Sequence, residues 1–244
     1  MMSSASSHRI QLQSAYVLHH RPYRDTSRIV ELFTRDHGRL TVFARGVRGS
    51  KSGWAAALQS FQPLLVSWVG KGEAGQLTGA ELVGEPRILA ASRLMSGFYL
   101  NELLLKLMHN HDPHPDIYDL YAVTISALKS SVDQLITLRL FEKRLLIALG
   151  FGLSLHTEAT TGIAIQGEKC YRFVAELGAV AIDADADPSK GVYDGHTLLA
   201  LACDDLTDPR HCQAVRYLLR AALDRVLDGR PLQCRVIMGD MKRY

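Results

Sequence analysis

The chain has 244 residues, 47% of them hydrophobic and 22% charged, with a formal net charge of +3. These values describe a folded chain that can bury a core as one large or two smaller domains, and they exclude wholesale disorder. No apolar run approaches the ~18–20 residues of a membrane span. The opening MMSSASSHRIQLQS lacks the apolar stretch and cleavage pattern of a signal peptide, so the expected location is the cytoplasm.

Residues 1–13 read as a flexible tail. From 14 to 86, alternating or β-branched runs divided by glycine turns predict strands at 15–21, 28–34, 39–44, 64–70 and 76–82. Five short strands at this spacing make a small closed barrel of the OB type, although an SH3-like barrel reads much the same. The same stretch concentrates the positive charge. Tyr16 to Ser52 carries eight basic residues against three acids, a local balance of +5. Arginines interleaved with β-branched and aromatic residues on rigid strands suit a phosphate backbone, which they neutralise without reading sequence. The competing reading is a solvated basic strand face. Arg21, Arg24, Arg28, Arg39, Arg45, Arg48 and Lys51 are the expected phosphate contacts, and Tyr16, Tyr23 and Phe43 are candidates for stacking, with a core role the stronger reading for Phe43.

Residues 87–244 read as a helical domain. Leu94, Phe98, Leu104 and Leu107 recur at helical spacing. A second helix starts near Asp116, and a third near Asp133 carries Leu135, Leu138, Phe141 and Leu145 before Gly150 and Gly152 stop it. Joined by short loops, the three predict a bundle. A short β insert follows at about 160–186, then an acidic stretch with Asp183, Asp185, Asp187 and Asp194, helices near 197–202 and 212–226, and a basic tail over 230–244.

Familiar catalytic patterns are missing. Gly46-Val-Arg-Gly-Ser-Lys-Ser imitates a phosphate-binding loop but has Ser50 where glycine must precede the lysine. His109, His111, His114 and Asp112 lie in a Pro-containing loop rather than on one helical face, and read as solvated. The four cysteines, at 170, 203, 212 and 234, form no C-x-x-C pair and read as reduced, small hydrophobes. No metal, cofactor or enzymatic activity is expected. The strongest enzymatic alternative, a metal-dependent nuclease using the 183–194 aspartates, competes with a plain solvated loop.

Several blocks resemble the RecO family of recombination mediators. Val17-Leu-His-His-Arg-Pro-Tyr-Arg-Asp-Thr-Ser, Leu32-Phe-Thr-Arg-Asp-His-Gly-Arg, Ala44-Arg-Gly-Val-Arg and Leu58-Gln-Ser-Phe-Gln-Pro-Leu are similar to its N-terminal domain. Gly97-Phe-Tyr-Leu-Asn-Glu-Leu-Leu and Leu138-Arg-Leu-Phe-Glu-Lys-Arg-Leu-Leu-Ile-Ala-Leu-Gly-Phe are similar to its helical domain. The blocks run in family order from about 14 to 240. The resemblance implies an α+β multidomain chain, a five-stranded OB-fold barrel followed by an α-helical C-terminal domain with a small β insert. It implies DNA repair by binding single- and double-stranded DNA, annealing complementary strands without ATP and, with RecR, loading RecA onto DNA coated by single-stranded DNA-binding protein. An OB-fold RNA-binding protein is the alternative that barrel and charge alone leave open.

Some family members hold zinc through four cysteines after the third helix. Here Gly152 to Ile182 offers only Cys170, with His156 and Thr160 near the place of the first pair, so the zinc site reads as lost. The family also recognises the acidic, phenylalanine-ended tail of single-stranded DNA-binding protein. Arg139 and Lys143, at i and i+4, are the expected carboxylate clamps, with Leu103 and Leu107 as an apolar wall and Lys106 at its rim. Arg139 is expected to be dispensable for folding.

Overall fold

A computed structural model describes residues 9–47, 54–70, 74–86, 88–130, 132–174 and 177–241. It divides into two compact units. The first comprises Met1–Ser130 with Leu232–Tyr244, and the second Ser131–Pro231. The sequence boundary at 86 therefore marks where strands give way to helices, whereas the compact units exchange chain at 130 and 231.

The first unit is built on β1 (Arg9–Tyr23), β2 (Ser27–Thr34), β3 (Gly38–Ala44), β4 (Leu64–Val69) and β5 (Ala74–Leu82). They close as β1-β2-β3-β5-β4, with β3 and β5 parallel and the other neighbours antiparallel. This is a five-stranded OB-type barrel. Inward residues of alternating strands fill it: Val17, Val30, Leu32, Leu40, Val42, Leu64, Val66 and Leu77, with Trp68 near one end. The short helix α1 (Trp54–Ala57) adds Ala57 and Leu58 to that core. β1 begins at Arg9, inside the segment expected to be a tail, because Arg9 and Ile10 pair with Val69 and Trp68.

Helices α2 (Ala91–Leu107) and α3 (Pro115–Leu128) cover part of the outer barrel face. Tyr16 and Phe33, outward-facing neighbours on β1 and β2, pack on Tyr118 and Tyr121 with ring centroids 5.0 to 6.3 Å apart. Tyr16 is thus a core residue rather than a stacking surface. Gly38, at φ +66°, closes the β2–β3 turn where any Cβ would sit 2.1 Å from the Asp112 carbonyl oxygen, so no other residue fits. Arg35 clamps the same end by donating through Nε and Nη2 to Asp119, at 3.0 and 2.8 Å.

One irregularity in β1 redirects the strand beyond it. Its register with β2 shifts between Val17 and His19, so Leu18 is an extra residue. The Leu18 carbonyl instead accepts a 2.7 Å bond from Asn101 Nδ2, and Asn101 Oδ1 accepts a 2.6 Å bond from the buried Tyr121 hydroxyl. Helix α7 (Gln233–Met241), on a stretch expected to be only a basic tail, returns to α2, where the Glu102 carboxylate accepts from the backbone N–H groups of Gln233 and Cys234 at 2.7 and 2.9 Å.

The second unit holds α4 (Gln134–Ala148), α5 (Gly195–Ala202) and α6 (Pro209–Leu227), with β6 (Cys170–Val174), β7 (Gly178–Ile182) and β8 (Val192–Asp194) in the order β7-β6-β8. α4 packs on α6, and Leu138, Phe141 and Leu145 of α4 and Val215 and Leu219 of α6 are buried. The three-helix bundle expected from 90 to 149 is not a compact body: α2 and α3 belong to the first unit and α4 to the second. Leu135, assigned to the α4 stripe, is exposed. Asp187 and Asp194, from the acidic stretch, cap a 3-10 turn and the N-terminus of α5 by accepting from Ser189 N and Thr197 N. Cys212 and Cys234 are buried, whereas Cys203 is exposed, contrary to its reading as a core residue. No helix among the described residues is long and apolar enough to cross a membrane.

Asn101→Leu should therefore cost about 2–3 kcal/mol, because two buried groups, the Leu18 carbonyl and the Tyr121 hydroxyl, lose their partner. Urea unfolding checks this, and a loss under about 0.5 kcal/mol would contradict it.

Candidate nucleic-acid interface

The bulge decides which β1 side chains meet solvent. Before it, Ala15 and Val17 face inward; after it, the inward partner of Val30 is His20, and Arg21 joins Ile29 and Phe43 on the outer row. Without the extra residue, period-2 alternation would carry Arg21 into the barrel. The outer face beyond the bulge presents Arg21, Tyr23 and Phe43, with Arg24 and Arg45 at its ends. The rings of Tyr23 and Phe43 lie 5.2 Å apart, and the Arg24 guanidinium sits 5.2 Å above Tyr23. Arg21, Arg24 and Arg45 are exposed; Tyr23 and Phe43 are half-buried, so each keeps part of its ring on the surface. Phe43 is consequently an outer-face residue, not part of the barrel core. Of the acids nearby, Glu31 accepts from Thr41 Oγ1 at 2.9 Å, and Asp25 is exposed in the β1–β2 turn. Cations spaced along strands around two aromatic rings can neutralise a phosphate backbone and stack bases without selecting them.

The remaining expected DNA contacts are placed differently. Arg28 lies on the inward row, opposite Pro22 and Ala44, with its Nη1 buried and unpartnered. Its charge falls on His20, whose pKa is lowered by burial first and by Arg28 next. Arg39 turns toward the helices: Nη1 donates to the Leu105 carbonyl near the C-terminus of α2 at 2.6 Å, a favourable place for a cation. That bond gives Arg39 a structural role. Arg48 and Lys51 lie outside the described residues.

The residues expected to hold an acidic tail do not share one character. Lys143 is buried and donates to the Leu201 and Ala202 carbonyls and to Asp204, at 2.7 to 2.9 Å. It anchors the end of α5. Leu103 and Leu107 are buried in the first unit, and Lys106 lies 3.9 Å from Glu102. Arg139 is 9% exposed, and its Nη2 donates to Glu142 at 2.8 Å, while its Nε is buried without a partner. Glu142 is 1% exposed, so Arg139 is paired with a buried carboxylate and has a structural contact that the sequence reading did not assign to it.

The stretch in which the resemblance implies a lost zinc site is closed by hydrogen bonds. Glu158 accepts from the Thr160 and Thr161 hydroxyls at 2.7 and 3.1 Å, Ile165 N donates to the His156 carbonyl, and Ala159 N to that of Ala179. Cys170 sits apart in β6, and among the described residues no three His, Cys, Asp or Glu side chains gather around a possible metal position. These residues do not fit a structural zinc site. Metal analysis of purified protein should find no stoichiometric zinc, and a chelator should leave the melting temperature unchanged; one tightly bound zinc per chain would overturn this.

Comparison with known proteins agrees with the fold. The family model "Recombination protein O N terminal" matches residues 9–86, and "Recombination protein O C terminal" matches 90–234. A DNA repair protein RecO from an Azoarcus species is 41% identical over 235 residues, covering 96% of this chain and 97% of the relative. That of Alkalilimnicola ehrlichii is 43% identical over 239 residues, covering 98% and 94%. One from Coxiella burnetii is 36% identical over 231 residues, covering 94% and 98%. Barrel, helices and ordered matches over nearly the whole length lead to one conclusion: the chain belongs to the RecO family of DNA repair proteins.

Proposed function

We propose that the protein is a non-enzymatic recombination mediator acting in the cytoplasm at the nucleoid. It binds single- and double-stranded DNA, anneals complementary strands without ATP and, with RecR, helps load RecA onto DNA coated by single-stranded DNA-binding protein. The observation that carries this reading is the outer barrel face on which Arg21, Arg24 and Arg45 surround Tyr23 and Phe43. Annealing needs two polyanions brought together without base selection. Distributed guanidinium groups supply the attraction, and π-faces hold any base in an accessible orientation. RecR, RecA and single-stranded DNA-binding protein enter as the partners the family membership suggests. The test is a strand-annealing assay on naked DNA and on DNA coated with single-stranded DNA-binding protein, with and without RecR. Failure to anneal naked strands would remove the reading.

With about four phosphates neutralised, log K should fall against log salt with a slope of roughly −3 for single strands. Replacing Arg21, Arg24 and Arg45 by glutamate should weaken binding to every sequence alike and flatten the slope to about −1. A salt-insensitive affinity, or an unchanged slope in the variant, would count against the face.

For the acidic tail, Arg139 is the residue retained from the expected set, because its fork geometry suits a carboxylate, and the tail would have to compete with Glu142 for it. Arg139→Ala should destabilise the second unit by about 1–3 kcal/mol, through loss of the 2.8 Å bond to the buried Glu142 carboxylate. Arg139→Lys keeps the charge and loses the fork, so it separates recognition from folding. A labelled tail peptide should bind the lysine variant roughly tenfold more weakly, and equal affinity would take Arg139 out of the site.

A further inference from the structure

Beside the basic face, within the first unit, lies a groove of about 650 Å³. Leu18, His19 and His20 of β1 form one side, the turn around Phe61 a second, and Leu82, Ile88 and Phe98 much of the rest. Its lining contains no carboxylate. Ile88 is 85% exposed and Phe98 43%, an unusual display of large apolar side chains in one place.

The groove is built, not incidental. Phe61 adopts φ +68°, a left-handed backbone that bulky residues rarely occupy. Two contacts hold it there: Lys129 Nζ donates to its carbonyl, and its ring lies where a Cβ on Gly97 would come within 2.8 Å. The Phe61 ring in turn supports Phe98 edge-on, at 5.2 Å and 63°, leaving part of Phe98 open to solvent. At the other wall, β1 pairs with β4 only as far as Ala15, and the bulge then delivers His19 and His20 to the groove. The buried, unpartnered Nη1 of Arg28 bears on His20 from the barrel side.

We propose that this groove captures a base of single-stranded DNA, stacked against Phe98, with the adjoining phosphates running toward the exposed Arg21–Arg24 face. The proposal rests on the DNA-binding reading of the barrel and adds a place where a base leaves the strand's own stack. An apolar recess with an aromatic wall, no acid in its lining and cations on one rim matches the composition of a nucleotide, an apolar ring attached to an anion. Capture of individual bases would interrupt self-stacking and leave neighbouring bases free to pair, which suits annealing.

The test compares a deoxythymidine oligomer with an oligomer of equal length made of abasic residues, titrated into the full chain at fixed salt. Wild type should prefer the base-bearing oligomer by roughly tenfold, the stacking contribution of about one base. Phe98→Ala should abolish most of that preference while keeping abasic binding and the salt slope, and Phe98→Trp should restore it. Ile88→Glu, at a position too exposed to affect folding, should weaken the thymidine oligomer selectively. Equal wild-type affinities for the two oligomers, or a Phe98→Ala loss shared equally by both, would overturn the proposal and leave the groove to a polypeptide. Failure of wild type to bind either oligomer would overturn the DNA-binding reading along with it.

Discussion

Leu18 has no partner in the β1–β2 register, and its buried carbonyl is met by a side chain of α2. An orphaned buried carbonyl costs a few kcal/mol, so the bulge persists only because Asn101 meets it and Tyr121 orients Asn101. The consequences run in two directions. Toward the helices, the contact fixes α2 and α3 on the β1–β2 face, where Tyr16 and Phe33 complete the packing. Toward solvent, one extra residue reverses the alternation of β1, so Arg21 points outward and His20 inward. Helix packing and the exposure of the β1 arginines thus both depend on a single side-chain amide.

The arginines of this unit, similar in sequence, have separate roles because of where their strands run. Arg35 and Arg39, at the helix-covered end, are held by Asp119 and by the Leu105 carbonyl. Arg21, Arg24 and Arg45 lie beyond the cover and remain exposed. Arg28 falls between, on the inward row with one nitrogen dry. Charge density alone cannot separate these cases, since a guanidinium that closes a helix end and one exposed on a strand carry the same charge. Topology makes the division.

Much of the architecture was legible in the residues. Strand alternation and glycine turns located all five barrel strands, and the change to helical periodicity near residue 90 marked α2, α3 and α4. What remained hidden depended on long-range partners. The bulge leaves no mark in the sequence, since Leu18 resembles any strand leucine and its partner is 83 residues away. The affiliation of the helices was hidden for the same reason: α2, α3 and α4 are all amphipathic, and nothing in their stripes says whether they face a barrel or α6. Arg139 and Lys143 at i, i+4 looked like neighbouring surface cations; Glu142, the partner of Arg139, lies three residues on in the same helix, but the burial of both cations and the Asp204 partner of Lys143 arise only when α4 packs. Helix α7 is short and lies in a basic stretch, so its periodicity was too brief to register.

Helix α7 also gives the chain an order of assembly. The first unit takes residues from both sides of the second, so 131–231 is an insertion between α3 and α7. Glu102 waits for the amides of Gln233 and Cys234, and until they arrive a carboxylate on α2 faces no helix N-terminus. On a ribosome, barrel, α2 and α3 emerge early, but the piece that completes them emerges only after the whole second unit has been made. A chain broken off within the insert would therefore carry a finished barrel, with its arginine face, on an α2 lacking its α7 partner. The bonds between Glu102 and α7 can form only after the insert has been synthesised.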